Sequence, residues 1–357
     1  MTEPVEHGKI MLGFMPRSSE AYHAIYKKIY ELEHTPSHVK EEMVTKKQLK
    51  FQVEVAKKLF LEKDCTLVDG AKLRACYKRM QSICGLKSPK KNLLAILASS
   101  AFNSDMKPIP LLLAGPPGVG KTSLAAAAAG GLERKLQVIS LGGRVDPDYL
   151  RGTRPMWLGA EPGMIAKAYS RYGKKLMFMF DEIDKLESGA NASFTLKQTD
   201  LLSVFDSSQN FAFNDFYLDY PIDLSSLPMI ATANSLDTLL DPLVNRFEVI
   251  ELGDYSVEEK LVIASDYIAP RLLQEMGLVG KFKISIELVD KIIEKNRDQP
   301  GMRQIERDLK FILSHAILHY FRGEIKIPAK LNKKAIKLLD NENKPKPRKV
   351  GFRTQDE

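Results

Sequence analysis

The chain has 357 residues, 44% hydrophobic content and a formal net charge of +8, enough for one large or two modest domains with sizeable cores. It contains no apolar run of about twenty residues, and no basic-then-apolar leader follows Met1-Thr2-Glu3; both facts argue against a membrane helix and a secretory signal. Three cysteines, Cys65, Cys76 and Cys84, form an odd set without metal-type spacing, so free thiols in a reducing, cytoplasmic compartment are expected.

In chain order, four zones separate. Residues 1–82 read as an irregular start followed by a helical segment around 39–63, dense in Lys and Glu, with Phe51, Val53, Val55, Ala56, Leu59 and Phe60 as its apolar positions. Residues 83–253 alternate helix-length segments with short apolar runs: Pro110 to Ala114, Leu136 to Leu141, Leu176 to Phe180 and Met229 to Ala233. Continuous apolar runs of that length predict buried parallel strands joined by crossover helices, an α/β fold. Residues 254–330 turn helical throughout, for example over 257–267 and 302–320. Residues 331–357 are basic and proline-dotted, and Lys344-Pro345-Lys346-Pro347-Arg348-Lys349 reads as a disordered tail, with a nuclear signal or nucleic-acid arm as the sharper alternative.

Gly115-Pro116-Pro117-Gly118-Val119-Gly120-Lys121-Thr122 matches the phosphate-loop pattern and sits between an apolar strand and an alanine-rich helix that starts at Ser123. Glycines allow the tight path that turns backbone N–H groups onto phosphate, and the following helix N-terminus adds positive potential. Lys121 is expected to reach the β- and γ-phosphates of ATP, and Thr122 to place its hydroxyl on Mg²⁺. The apolar run 176–180 ends in Asp181-Glu182. Asp181 there suits Mg²⁺ through water, and Glu182 suits polarisation of the attacking water. Asn234, ending the run 229–233, is placed to orient that water. Arg246, twelve residues on, reads from spacing alone as a surface arginine.

From about Ile83 to Phe321 the chain resembles the AAA+ ATPase module of the Lon protease family. The resemblance is carried by Ser140-Leu141-Gly142-Gly143 with Leu150-Arg151-Gly152, by Gly159-Ala160 with Pro162-Gly163-Met164-Ile165, and by Asp181-Glu182-Ile183-Asp184-Lys185-Leu186. It continues through Asn214-Asp215-Phe216-Tyr217-Leu218-Asp219, Ala231-Thr232-Ala233-Asn234, Arg246 to Leu252, and Gly301-Met302-Arg303-Gln304-Ile305-Glu306-Arg307. It implies an AAA+ P-loop NTPase: a parallel sheet flanked by helices, a small C-terminal helical lid over 254–330, and an N-terminal helical segment. It further implies that Asn234 is sensor 1, that Arg303 is sensor 2, and that Arg246 is a finger reaching a neighbouring subunit's ATP, which requires a ring, a homohexamer. Gly85 and Leu86, after Cys84, resemble the segment beside adenine, where the family more often has an aromatic at the cysteine position.

Trp157 and Leu158 fall where the family places a pair that grips unfolded polypeptide in a central pore, although Pro155 departs from the pattern. A large ring wedges between side chains of any sequence; a tryptophan in a core or subunit contact is the competing reading. Lon proteases continue into a peptidase domain, for which the residues after Phe321 leave no room, so a motor without its own protease is expected, of viral, phage or cellular origin. A separate protease or adaptor is then an expected partner. His315 and His319 share a helical face with no acidic partner between them, and are read as packed helix residues. The alternative function is a nucleic-acid motor or loader, favoured electrostatically by the basic flanks; Trp157 favours polypeptide.

Overall fold

The computed structural model describes residues 3–34, 39–62, 68–102, 107–143, 146–157, 159–187 and 195–336. Leu158, Cys65 and the tail from 337 onward lie outside the described residues. The chain divides into two compact units, one of residues 1–115 with 121–252, the other of 116–120 with the residues from 253 onward.

In the first unit, five parallel strands form one sheet: β1 (Leu111–Ala114), β2 (Lys135–Ser140), β3 (Leu176–Asp181), β4 (Met229–Ala233) and β5 (Glu248–Glu251), in the spatial order β2-β3-β4-β1-β5. Helices flank it, so this is the mixed α/β architecture of a P-loop NTPase. The three inner strands are buried almost end to end, whereas the edge strands β2 and β5 each have one buried residue among exposed and half-buried ones. A strand covered on both faces must be apolar throughout; an edge strand with one wet face need not be. That is why Glu-Val-Ile-Glu at 248–251, absent from the runs picked out above, is nonetheless a strand.

The irregular start expected for residues 1–38 is instead two helices, α1 (Glu3–Leu12) and α2 (Glu20–His34), packed with α3 (Val39–Phe60). Val5 and Met11 of α1, Ala21, Ile25 and Ile29 of α2, and Leu49, Val53 and Ala56 of α3 are buried in the same core as the sheet. Gly8, a poor helix former, is what lets α1 approach α2: a Cβ there would lie 2.9 Å from Ile29 Cδ1. Tertiary packing overrides a weak local signal here. Helix α4 (Gly70–Gln81), N-capped by Asp69, packs on α6 (Lys121–Gly131), and α5 (Lys87–Phe102) lies against β5. At the α4–α6 contact, burial pushes the Cys76 thiol up to about 11, so it stays protonated and unreactive.

The second unit has a helical core built from Val257–Val262, which continues through a π-helical stretch Ile263–Ile268 into Ala269–Glu275, and from Ile286–Lys295 and Arg303–Phe321. Ser256 and Ser285 cap two of these helices through their hydroxyls. The unit is not helical throughout. Phe282–Ile284 and Ala329–Leu331 pair as short parallel strands, and Lys333–Ile336 forms a 3₁₀ turn. Residues 331–336, counted with the disordered tail from sequence, therefore belong to this unit: Leu331 is buried, and its carbonyl accepts the Ser285 N–H. His319 pairs with Glu324, and His315 rests on the Phe311 ring, as packed helix residues.

Candidate nucleotide site

Three neighbouring strands of the first unit deliver the polar groups. Lys121, at the start of α6, is buried, and its ammonium donates to the Gly115 carbonyl and, at 2.9 Å, to the Asn234 side-chain oxygen just past the end of β4. Burial lowers the Lys121 pKa, while Asp184, Asp181 and Glu182 act in the opposite direction. The ammonium thus sits in the field of three carboxylates near the carboxyl edge of the parallel sheet, where open α/β sheets bind their ligands.

Asp181 ends β3, and Glu182 follows in the left-handed region at φ 60° and ψ 48°. That conformation is unusual for a residue with a Cβ. Thr232 of β4, fully buried, accepts the Glu182 N–H at 3.0 Å and donates its hydroxyl to Asp181 Oδ1 at 2.5 Å. The Glu182 carboxylate lies against Gly142, where a Cβ would come within 2.1 Å of Glu182 Oε2. Asp184 is nearly buried, and its Oδ1 has no hydrogen-bond partner among the described residues. Neither Thr232 nor Asp184 was singled out from sequence; a lone hydroxyl inside the apolar run 229–233 was the available signal.

The donor set fits Mg²⁺: Asp181 and the orphaned Asp184 oxygen are hard carboxylate donors, and Thr122 lies exposed in the first turn of α6. Ser123 is exposed beside it. Gly85 and Leu86, both at positive φ, form the turn into α5, with Leu86 buried.

In the second unit, Pro116 to Gly120 rest on the segment before Arg303. The Gly118 carbonyl accepts the Met302 N–H at 3.1 Å and the Val119 carbonyl accepts the Tyr255 hydroxyl at 2.8 Å. Gly118 has φ 82°, and a Cβ there would sit 2.9 Å from the Arg303 nitrogen, so the loop can seat against this helix only with glycine. Asp254 holds the same segment, accepting from Gly301 N–H at 2.7 Å and from buried Lys260 at 2.7 Å. Burial alone would raise the Asp254 carboxyl, but these partners outweigh it and leave it below the usual carboxylate range. Arg303 itself is exposed at the helix start.

Arg246 does not join the Lys121 cluster. Its guanidinium pairs with Asp206 through Nε at 3.2 Å and Nη2 at 2.9 Å, and Nη1 donates to the Pro242 carbonyl. Ser208 holds the other Asp206 oxygen through its N–H and its hydroxyl, the largest influences keeping that carboxyl low.

Trp157 is 67% exposed and Met156 80%, on a loop whose stem is closed by Thr153 and Glu161. The stem is anchored by buried Asp215, which accepts the N–H of Gly163 at 2.8 Å and of Tyr217 at 2.9 Å. Buried Gln48 and Gln52 of α3 in turn donate to the carbonyls of Tyr217 and Leu218.

Residues 111–255 match the family described as "ATPase family associated with various cellular activities (AAA)". Lon protease 1 of Syntrophotalea carbinolica is 39% identical over 242 residues, which is 67% of this chain and 29% of that protein. The peroxisomal Lon protease homolog 2 of Spinacia oleracea is 40% identical over 240 residues, 66% of this chain and 27% of its own length. Lon protease of Finegoldia magna is 37% identical over 258 residues, 71% of this chain and 33% of that protein. The chain thus spans a third or less of the length of these relatives.

Proposed function

We propose, from the premise that residues 111–255 are an AAA domain of Lon-like sequence, that this protein hydrolyses ATP and uses the energy to unfold, thread or remodel polypeptides. The observation that carries the first half is the convergence of Lys121, Asn234, Asp181 and Glu182 at the carboxyl edge of the sheet in the first unit. Backbone N–H groups from Gly118 to Thr122 hold the phosphates. Lys121 exchanges its bonds to the Gly115 carbonyl and Asn234 for phosphate oxygens, which releases the Asn234 amide to orient the attacking water. Glu182 accepts a proton from that water. Thr122 and Asp181 would hold Mg²⁺, which would offset phosphate charge. Arg303 senses nucleotide from the helical unit, and Gly85 and Leu86 lie beside the base.

Arg246 serves a neighbouring copy in a ring, as a planar fork suited to transition-state phosphoryl charge. Trp157, with Leu158, contacts the polypeptide in the pore. Its exposure on an anchored loop supports this over a core role. The proposal gives this chain a motor role and no peptidase activity.

The deciding experiment compares ATP turnover of the full chain alone, with an unfolded protein, and with single- and double-stranded DNA. Stimulation by unfolded protein, with a lower ratio of stimulated to unstimulated turnover in Trp157→Ala, is expected. Stimulation by DNA alone, indifferent to Trp157→Ala, would replace the polypeptide reading with a nucleic-acid motor. The same incubations, read for fragments of the unfolded protein, test the absence of peptidase activity.

A further inference from the structure

We propose that Thr232 is a positioning residue for hydrolysis, whose hydroxyl sets the geometry of Asp181 and Glu182 together; the inference rests on the ATPase reading above. Strand β4 runs between β3 and β1, and its register with β3 ends at Phe180 opposite Ala231. Thr232 is the next residue, level with Asp181 at the carboxyl edge of the sheet. The strand is otherwise Met-Ile-Ala-Ala, and Thr232 has no exposed surface. A hydroxyl there is costly unless its bonds are made, and both are spent on the same two neighbouring residues.

The acceptor side takes the Glu182 N–H at 3.0 Å. Glu182 needs such a hold, because its left-handed backbone, at φ 60° and ψ 48°, brings Cβ close to a carbonyl oxygen. With the N–H released, the backbone relaxes toward the broad right-handed or extended regions, and the carboxylate swings away from Gly142. Gly142 leaves the room that the carboxylate occupies, since any side chain there would collide with Glu182 Oε2. The donor side of the hydroxyl occupies Asp181 Oδ1 at 2.5 Å. This fixes the carboxylate rotamer and reserves the second oxygen for metal-bound water. One hydroxyl therefore ties the metal-side carboxylate to the water-side carboxylate, and two residues on the same strand end delivers Asn234 to Lys121. A small change at Thr232 moves all three elements of the chemistry and leaves the phosphate loop itself untouched.

Thr232→Val keeps the shape and removes the hydroxyl; Thr232→Ser keeps the hydroxyl and removes the methyl. In the full chain, Thr232→Val is expected to bind an ATP analogue within about threefold of the wild type while its kcat falls about tenfold or more, and Thr232→Ser is expected to regain most of that kcat. The Mg²⁺ concentration for half-maximal rate should rise in Thr232→Val. A merely structural hydroxyl would lower the melting temperature and leave kcat and the Mg²⁺ requirement alone at temperatures where the protein is folded. Glu182→Gln is run alongside. If it is inactive while Thr232→Val turns over like the wild type, the positioning role is overturned and the ATPase reading stands; if Glu182→Gln itself turns over normally, both fall. Activity that follows the methyl, with serine as impaired as valine, also overturns the proposal. Should valine prevent folding, Thr232→Cys, with a weak donor of similar size, makes the same comparison against serine.

Discussion

Lys121 gives a hydrogen bond to the Asn234 side chain at 2.9 Å, so the cation proposed for phosphate is held by the residue proposed for water. The two proposed roles are thereby linked, because the lysine occupies the Asn234 side-chain oxygen. Losing Lys121 should abolish measurable nucleotide binding. Asn234→Ala should instead bind ATP within a few-fold of the wild type and lose about ten- to hundredfold in kcat, as expected for an interaction made mainly in the transition state. Fluorescent-nucleotide titration beside steady-state turnover separates the two, and an Asn234→Ala protein that turns over normally would remove the assignment.

Arg246 bound to Asp206 carries a second prediction. The guanidinium is about 29% exposed and the carboxylate 19%, so the pair contributes little to stability, roughly 1 kcal/mol or less. Arg246→Ala should therefore melt within a few degrees of the wild type. Its turnover should fall about a thousandfold, the scale of an arginine finger. Mixing Arg246→Ala with Glu182→Gln subunits should restore part of the activity, because each lacks what the other provides across an interface. No recovery on mixing, over a range of protein concentrations, would place Arg246 outside any shared site.

Much of this site is legible in the sequence because its parts are local. A phosphate loop, an acidic strand end and an amide strand end each announce themselves within a few residues, and β1, β3 and β4 are buried on both faces and so read as plain apolar runs. What was not legible depends on contacts between distant segments. The left-handed turn at Glu182 needs Thr232, fifty residues away, and the room left by Gly142. Helices α1 and α2 have Lys, Glu and Tyr scattered among few apolar positions, and their packing rests on α3 and on the gap at Gly8. The short pair of Phe282–Ile284 with Ala329–Leu331 joins segments some forty-five residues apart, and three-residue strands leave no periodic trace.

The clamp from α3 onto residues 217–220 yields a stability prediction. Gln48 Nε2 donates to the Tyr217 carbonyl and to Asp219 Oδ2, both at 2.8 Å; Gln52 Nε2 reaches the Leu218 carbonyl at 2.9 Å, and the Tyr220 hydroxyl returns to the Gln52 carbonyl. Gln48 and Gln52 are essentially fully buried. Replacing either with alanine strands backbone carbonyls in the interior and should cost about 1–3 kcal/mol each. Because the two share one segment, the double variant should depart from additivity. Urea unfolding of the four proteins checks this; losses below a few tenths of a kcal/mol would show that water replaces the amides without penalty.

Asp215 makes the stem of the Trp157 loop sensitive to pH. Burial pushes its carboxyl up to about 7, against the pull of the Gly163, Tyr217 and Leu218 N–H groups and of Lys167. The unfolded chain holds the same group near the ordinary aspartate value of 3.8. Between those values the folded protein binds more protons than the unfolded one, so stability falls as pH rises from about 4 to about 7 and levels off above. The carboxyls of Glu161, Asp206 and Asp254 are shifted downward, and their contribution is lost only in more acid solution. The window from about pH 5 to 7 is therefore where Asp215 should be visible. Melting temperatures should decline across it in the wild type. Asp215→Asn cannot titrate, and its amide can accept only one of the two N–H bonds made by the carboxylate oxygens, so it should melt lower at acid pH and show a flatter profile through the window. The stem it anchors at Gly163 should loosen with it, read as faster hydrogen exchange over residues 152–163. A wild-type profile as flat as that of the variant would mean that Asp215 titrates outside this range, and an unchanged exchange rate in the variant would mean that the stem is held by the Thr153–Glu161 bonds alone.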